Sequence, residues 1–515
     1  MFTVSEGICS ARESVVMEEK CRICLSLTAA TLEEDLRLLE SRREFVDLVE
    51  LRADFLDAAE LAYLPSFPKR AGLPVILAIR RKPDGGRWHG AEGKRRDLLG
   101  RALSGRYAYV DLEEDLEDPA LTEAVKRNAA RVIRSLHDLS GVPNGLAERL
   151  RSLAHKTGEI PKLAVTPGST KDLPALVDAY QQLEGQEKIL IGMGEFGLFS
   201  RIMATKLGSY LTYCSVAGSE QEAPGHLDPR TLVRLYRFRK QDRETFACGV
   251  IGNPIAHSRS PEFHNRGYET LGLNGVYIPF LVDDVPAFFR LARMLELRGF
   301  SVTMPHKRAV LPHLDERDGT LARIGACNTV VRRPSGGWYG TNTDVQGFLA
   351  PLRARVPRLM SPETRATVIG AGGGARSVVY ALSSLGIRPL ILNRTVEKAH
   401  LLGEAFQCEW GGVDSDGIAR MQNHADLIVQ ATGVGMEPDA GADPLPEYRF
   451  SGSEVVYDLV YKPLMTVFLK RAREAGCRIV SGLAMLYSQG AAQFKHYTGF
   501  ELPPELLDSQ NPIVK

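Results

Sequence analysis

What this chain lacks narrows its function first. Its 64 basic and 63 acidic residues leave a formal charge of +1, so no strong field draws it to nucleic acid or an anionic membrane. No apolar run reaches the roughly 18–20 residues that a membrane span needs. The first twenty residues carry acidic side chains and no apolar h-region, which argues against a secretory signal or a transit peptide. Residues 1–20 read as a short tail. The eight cysteines, Cys9, Cys21, Cys24, Cys214, Cys248, Cys327, Cys408 and Cys477, are scattered. That is not a disulfide framework, and it predicts a reducing, cytoplasmic location. Cys21 and Cys24 form a C-x-x-C, but no second pair follows at zinc spacing, so they read as ordinary strand cysteines. No metal cluster, long repeat or low-complexity segment stands out. With 44% hydrophobic and 25% charged residues, the chain has the composition of a soluble globular protein. Its 515 residues exceed one core and imply two to four domains.

What is present is a regular alternation. Apolar segments at 21–28, 45–53, 73–80, 107–113, 131–138, 161–167, 188–194 and 209–216 are separated by helical stretches. Most are apolar on both faces, the signature of a parallel sheet covered by helices. Eight strands in this length predict a closed (β/α)8 TIM barrel over 21–238, with an open doubly wound sheet as the alternative. A polar linker at 239–245 precedes a second α/β region with two lobes, 246–349 and 350–480, and C-terminal helices at 481–515 that return to the first of them.

Barrel active sites lie at the C-terminal ends of the strands. Those ends carry Glu50, Arg52, Asp54, Arg80, Glu113, His137 and Lys162. The stretch EIPKLAVTP places Lys162 inside an apolar strand. A lone strand lysine usually packs its stem and sends its ammonium to water. Five strands delivering polar groups to one rim argue instead for a shared pocket. A desolvated lysine can attack a ketone and form an imine, a nearby histidine can move a proton α to that imine, and arginines can hold a carboxylate. The residues alone therefore point to a cofactor-free Schiff-base lyase or aldolase.

ELRAD, IRRKPDGG, SLHD, PKLAV and FSRIMATKLGS together resemble the type I 3-dehydroquinate dehydratases, over about residues 21–238. The resemblance implies that Lys162 forms an imine with the C3 ketone of 3-dehydroquinate. His137 would act as general base and acid at C2 and the C1 hydroxyl. Arg80 and Arg201 would position the substrate, and Glu50 and Arg52 would line the site. The chain departs from the family pattern at two places. Asp84 stands where the family has Glu, and Glu222 and His226 occupy the loop that usually reads S-x-P-G-Q. Glu222 and His226 are carried forward as substrate-binding candidates, with a weakened first site as the expectation.

In the second half, Gly370-Ala371-Gly372-Gly373-Gly374-Ala375 follows a strand and precedes a helical run, as in a Rossmann-type dinucleotide fold. The next strand ends in Asn393, Arg394 and Thr395, with no acidic residue for a ribose 2′-hydroxyl. An arginine there suits a 2′-phosphate, so NADP(H) is predicted over NAD(H). GNPIAHSRSPEFHN, SVTMPHK, GACNTV, TNTD, YDLVYKP and SGLAMLYSQGAAQF resemble shikimate dehydrogenases, from about Phe246 to Gly499. That implies Lys307 and Asp344 as the catalytic pair, and Ser258, Ser260, Thr303, Asn328, Tyr461 and Gln489 around the substrate. The two resemblances predict a fused enzyme acting on 3-dehydroquinate, 3-dehydroshikimate and shikimate, with no cofactor for the first half and no nucleic-acid or membrane partner. Two rivals follow: a quinate/shikimate dehydrogenase with a weakened or inactive barrel, and a metabolite-binding scaffold without turnover.

Overall fold

In the computed structural model, described for residues 20–153, 158–216, 227–256, 258–503 and 506, three sheets account for the strands. The first contains β1 (Arg22–Leu27), β2 (Leu48–Arg52), β3 (Val75–Ala78), β4 (Tyr109–Glu113), β5 (Arg131–Asp138), β6 (Ile160–Val165), β7 (Ile189–Gly192) and β8 (Leu211–Cys214). All its pairings are parallel, in the order β7-β6-β5-β4-β3-β2-β1-β8. Between β7 and β8 the backbone is joined just below the strands, where the Tyr210 amide donates to the Lys188 carbonyl at 2.8 Å. The result is a nearly closed barrel, and the open-sheet alternative falls away.

Strand alternation divides the barrel side chains. Leu25, Leu51, Leu77, Val110 and Leu163 face the helices. Leu48, Ile76, Tyr109, Ile133, Ile160, Ile189 and Leu211 fill the interior. Each such side chain contributes roughly 1.5–3 kcal/mol by leaving water. This apolar layer closes the interior beneath the strand ends. Polar side chains above it are buried as well.

The second sheet is mixed, with order β10-β9-β11-β13-β14-β12. It consists of β9 (Phe246–Gly252), β10 (Gly275–Leu281), β11 (Gly299–Val302), β12 (Glu316–Arg317), β13 (Thr329–Arg332) and β14 (Trp338–Thr341). The helix Gly482–Thr498 packs on this lobe, with Phe494 and Tyr497 in one apolar cluster with Phe246 and Tyr268. The third sheet is wholly parallel: β15 (Ala366–Ile369), β16 (Leu390–Leu392), β17 (Trp410–Gly411), β18 (Leu427–Gln430), β19 (Val455–Asp458) and β20 (Arg478–Val480). Its order, β17-β16-β15-β18-β19-β20, is the doubly wound dinucleotide order 3-2-1-4-5-6.

The barrel touches the second sheet's lobe directly. Asp283, just after β10, accepts from the Thr170 amide at 2.8 Å and the Ser169 hydroxyl at 3.1 Å, and its own amide donates to the Thr170 hydroxyl at 3.1 Å. Phe199 and Phe280 meet with ring centroids 6.2 Å apart. Among the described residues no helix is long and apolar enough to cross a membrane. Seven cysteines fall among the described residues, and all are free and buried.

Candidate active sites

The first site stands on the apolar floor of the barrel. Lys162, on β6, is buried and donates to Asp111 of β4 at 2.7 Å and to Glu50 of β2 at 3.2 Å. Asp111 also accepts from the Ser135 hydroxyl, and Glu50 from the Ser26 hydroxyl. Arg80 approaches the same two carboxylates at 3.7 and 3.8 Å. Burial alone would raise both carboxyl groups, but Lys162 and Arg80 overcome it and hold them below their ordinary range. His137, on β5, is buried with Nδ1 unpartnered among the described residues. Burial, then the Arg80 and Lys162 charges, push it well below the usual imidazole value, which favours its neutral form.

Arg201 comes from the helix Leu198–Ile202 and is also buried. One of its Nη atoms donates to the Tyr213 carbonyl at 3.2 Å, while its Nε has no partner among the described residues. Burial pushes its guanidinium down to about 10. Arg80 Nε likewise has no partner among the described residues. Unsatisfied buried donors are costly, and two guanidinium groups offering them suit an oxygen-rich anion. No cluster that could hold a metal ion occurs among the described residues.

Lys162, Glu50 and Arg80 are thus assembled in the barrel interior, with His137 within reach of their charges, while Arg201 meets the site through the Tyr213 carbonyl. Arg52 is a half-step removed: it makes a bidentate pair with Asp54 at 2.8–2.9 Å. Glu113 serves a structural role, since both its oxygens accept from Arg95 at 2.9 Å. Asp84 accepts from Arg81 at 2.9 Å. Glu222 and His226 lie outside the described residues. Reading only the strand tips missed Asp111, Ser135, Ser26 and Tyr213. Asp111 precedes Glu113 by two residues and so shares its inward face, a signal the period-2 pattern contains.

The second site lies between the other two lobes. Lys307 Nζ donates to Asp344 Oδ2 at 2.6 Å. Asp344 opens the helix Asp344–Arg355, and its other oxygen accepts from Asn328 Nδ2 at 2.7 Å. The same Asn328 group lies 3.2 Å from Gln489 Oε1 and 3.0 Å from the Thr343 hydroxyl, which was not anticipated. Ser258, Ser260, Thr303 and Tyr461 are half-buried. Burial raises the Tyr461 phenol, with Arg259 opposing it.

The glycine turn meets this pair. Gly370 has φ +117°, and a Cβ there would lie 3.0 Å from the Ala431 carbonyl oxygen. Gly372 caps the helix Gly373–Ser384, and a Cβ built on Gly373 would come 3.3 Å from Lys307 Cδ. The turn sits at the point where strand order reverses, between β15 and β18. Bare backbone amides at a helix start, next to Lys307, fit a dinucleotide pyrophosphate. Asn393 donates to the Thr395 carbonyl at 2.8 Å, and Arg394 is exposed beyond β16.

Comparison with known proteins gives the same two halves. Residues 23–243 match the type I 3-dehydroquinase family, 250–330 the shikimate dehydrogenase substrate-binding domain, and 356–436 the shikimate/quinate 5-dehydrogenase family. A shikimate dehydrogenase (NADP(+)) of Moorella thermoacetica is 41% identical over 51% of this chain and 92% of its own. The solved shikimate 5-dehydrogenase of Thermus thermophilus, in complex with NADP(H) and shikimate, is 36% identical over 52% of this chain and 98% of its own, with a TM-score of 0.47. A chloroplastic bifunctional 3-dehydroquinate dehydratase/shikimate dehydrogenase of Arabidopsis thaliana is 32% identical across 95% of this chain and 84% of its own. With both halves matched in one continuous relative, the chain belongs to the bifunctional 3-dehydroquinate dehydratase/shikimate dehydrogenase family.

Proposed function

We propose that the barrel dehydrates 3-dehydroquinate to 3-dehydroshikimate and that the two following lobes reduce 3-dehydroshikimate to shikimate with NADPH. The observation that carries the first step is Lys162, buried between Asp111 and Glu50 with neutral His137 and two underused arginines around it. The Lys162 amine adds to the C3 ketone and water leaves, giving an imine. His137 removes a C2 proton, and the electron pair expels the C1 hydroxyl, which takes a proton from His137 and departs as water. Hydrolysis frees the product and restores the lysine. Arg201 and Arg80 hold the carboxylate and hydroxyls, with Glu50 and Arg52 lining the pocket.

In the second step NADPH, when bound, supplies a hydride to the C3 ketone. Lys307 donates a proton to the developing alkoxide or stabilises it, and Asp344 orients the ammonium. Ser258 and Ser260 take the substrate carboxylate; Thr303, Asn328, Tyr461 and Gln489 take its hydroxyls. Gly370, Ala371, Gly372, Gly373, Gly374 and Ala375 cradle the pyrophosphate, while Asn393, Arg394 and Thr395 receive the 2′-phosphorylated ribose.

The boundaries we adopt are a barrel at 21–238, a substrate lobe at 246–349 and a nucleotide lobe at 350–480. A cytoplasmic location is supported by the seven free, buried cysteines among the described residues. The assembled barrel residues favour two activities over a dehydrogenase with a decayed barrel. A coupled assay from 3-dehydroquinate with NADPH tests this. The wild-type chain should consume NADPH, and Lys162→Ala should stop consumption from 3-dehydroquinate but not from 3-dehydroshikimate. Equal rates in the two chains from 3-dehydroquinate would dismiss the lysine mechanism.

A further inference from the structure

Among the described residues, Tyr213 is the aromatic side chain set against Lys162, and its polar end has no role in the site described above. It lies on β8, level with Cys24 of β1, and belongs to the inner-facing cluster of the barrel. Lys162 Nζ stands 4.3 Å from its ring centroid. The residue is 4% exposed, and its hydroxyl is buried with no hydrogen-bond partner among the described residues. Its carbonyl accepts from Arg201 at 3.2 Å, so its backbone and ring each meet a different member of the site.

The nearby acceptors do not need this hydroxyl. Glu50 accepts from Ser26 and Lys162, and Asp111 from Ser135 and Lys162. A buried phenol costs stability unless it is hydrogen-bonded, so an orphan hydroxyl at a reactive amine calls for a partner that arrives with the substrate. The ring face offers a second effect. A cation within about 6 Å of an aromatic centroid is attracted by the ring quadrupole, most strongly when desolvated. An imine formed on Lys162 is most reactive when its nitrogen carries a proton, and that cation would lie over this ring.

We propose that Tyr213 is a further catalytic residue of the dehydratase half. Its ring face stabilises the cationic imine nitrogen of Lys162, and its hydroxyl donates a hydrogen bond to an oxygen of the bound cyclic hydroxy-acid. This rests on the dehydratase reading given above.

Two substitutions separate the two contributions, each in the full-length chain. Tyr213→Phe keeps the ring and removes only an unpartnered hydroxyl. It should lower kcat/KM for 3-dehydroquinate about tenfold, mainly through KM, while the thermal midpoint of the substrate-free protein stays level or rises. Tyr213→Leu removes both contributions and should lower kcat by about a further tenfold. It should also reduce the fraction of Lys162 trapped by borohydride at saturating 3-dehydroquinate. Shikimate oxidation with NADP+ by the same chains should be unchanged. Wild-type KM in Tyr213→Phe overturns the hydroxyl's role, and wild-type trapping in Tyr213→Leu overturns the ring's. A fall in the thermal midpoint of Tyr213→Phe that accounts for its lost activity marks a packing residue and overturns the proposal. No turnover by the wild-type chain removes the dehydratase reading itself, whereas wild-type turnover with both variants unchanged removes this inference alone.

Discussion

Lys162 and Lys307 are both paired lysines, yet they are held differently. The Lys162 side chain is 3% exposed and contacts two carboxylates, with an aromatic ring on another side. The Lys307 side chain is 18% exposed, contacts one carboxylate, and lies beside a glycine turn. The contrast suits the chemistry proposed for each. A lysine that becomes covalently bound needs an enclosed site where water does not hydrolyse the imine early. Its two ion pairs must then be exchanged for contacts with substrate. A lysine that only passes a proton or steadies a charge needs one orienting partner and open access to substrate and nucleotide.

The comparison can be broken most severely by removing each amine. Lys307→Ala should lower dehydrogenase kcat by roughly 100–1,000-fold with a smaller change in shikimate KM, and leave dehydratase turnover intact. Separate assays of the two steps check this; a variant that loses both activities together would show the halves to be one cooperative unit. Asp111→Asn tests whether the doubled pairing at Lys162 matters. It should cost about 1–3 kcal/mol of stability and at least tenfold in dehydratase kcat, because Lys162 and Arg80 lose a shared counter-charge. Wild-type activity and melting temperature would make Glu50 the sufficient partner.

Arg394→Asp should shift the kcat/KM ratio for NADPH over NADH by about tenfold or more toward NADH, by losing a charge-assisted bond to the 2′-phosphate. An unchanged ratio would move that recognition elsewhere. The mildest expectation concerns pH. His137 is depressed well below its ordinary value, so its base form persists as pH falls through 6.5. Dehydratase kcat/KM should therefore stay level there; a loss centred near 6.5 would identify an ordinary, solvated histidine. The same sign holds for stability. Glu50, Asp111 and His137 all bind protons less readily when folded, so their contribution is present at neutral pH and is lost on acidification. The loss begins below about 6.5 for His137 and below about 4.5 for the carboxylates.

Particular elements show where reading the chain succeeds. The segment 131–138 is read as a strand and coincides with β5, and FACGVIG with β9. Both are short apolar runs bounded by polar residues, and local pattern is enough to mark them. Glu113 shows where such reading fails. It ends β4, yet Arg95 on a neighbouring helix claims it. Asp111 is the converse case: it sits mid-strand as Glu50 does but in no motif, and only its inward direction joins it to Lys162.

The barrel, the two lobes after it, the glycine turn and both lysines are legible in the chain without a structure, because periodicity and short motifs are local properties. That Asp111 joins Glu50 at Lys162 follows from the folded arrangement alone. Closing the barrel brings β2, β4, β6 and β8 around one axis, and Glu50, Asp111, Lys162 and Tyr213 meet only through that closure. Burial then sets their charges, since desolvation and proximity depend on distances that no segment of sequence contains.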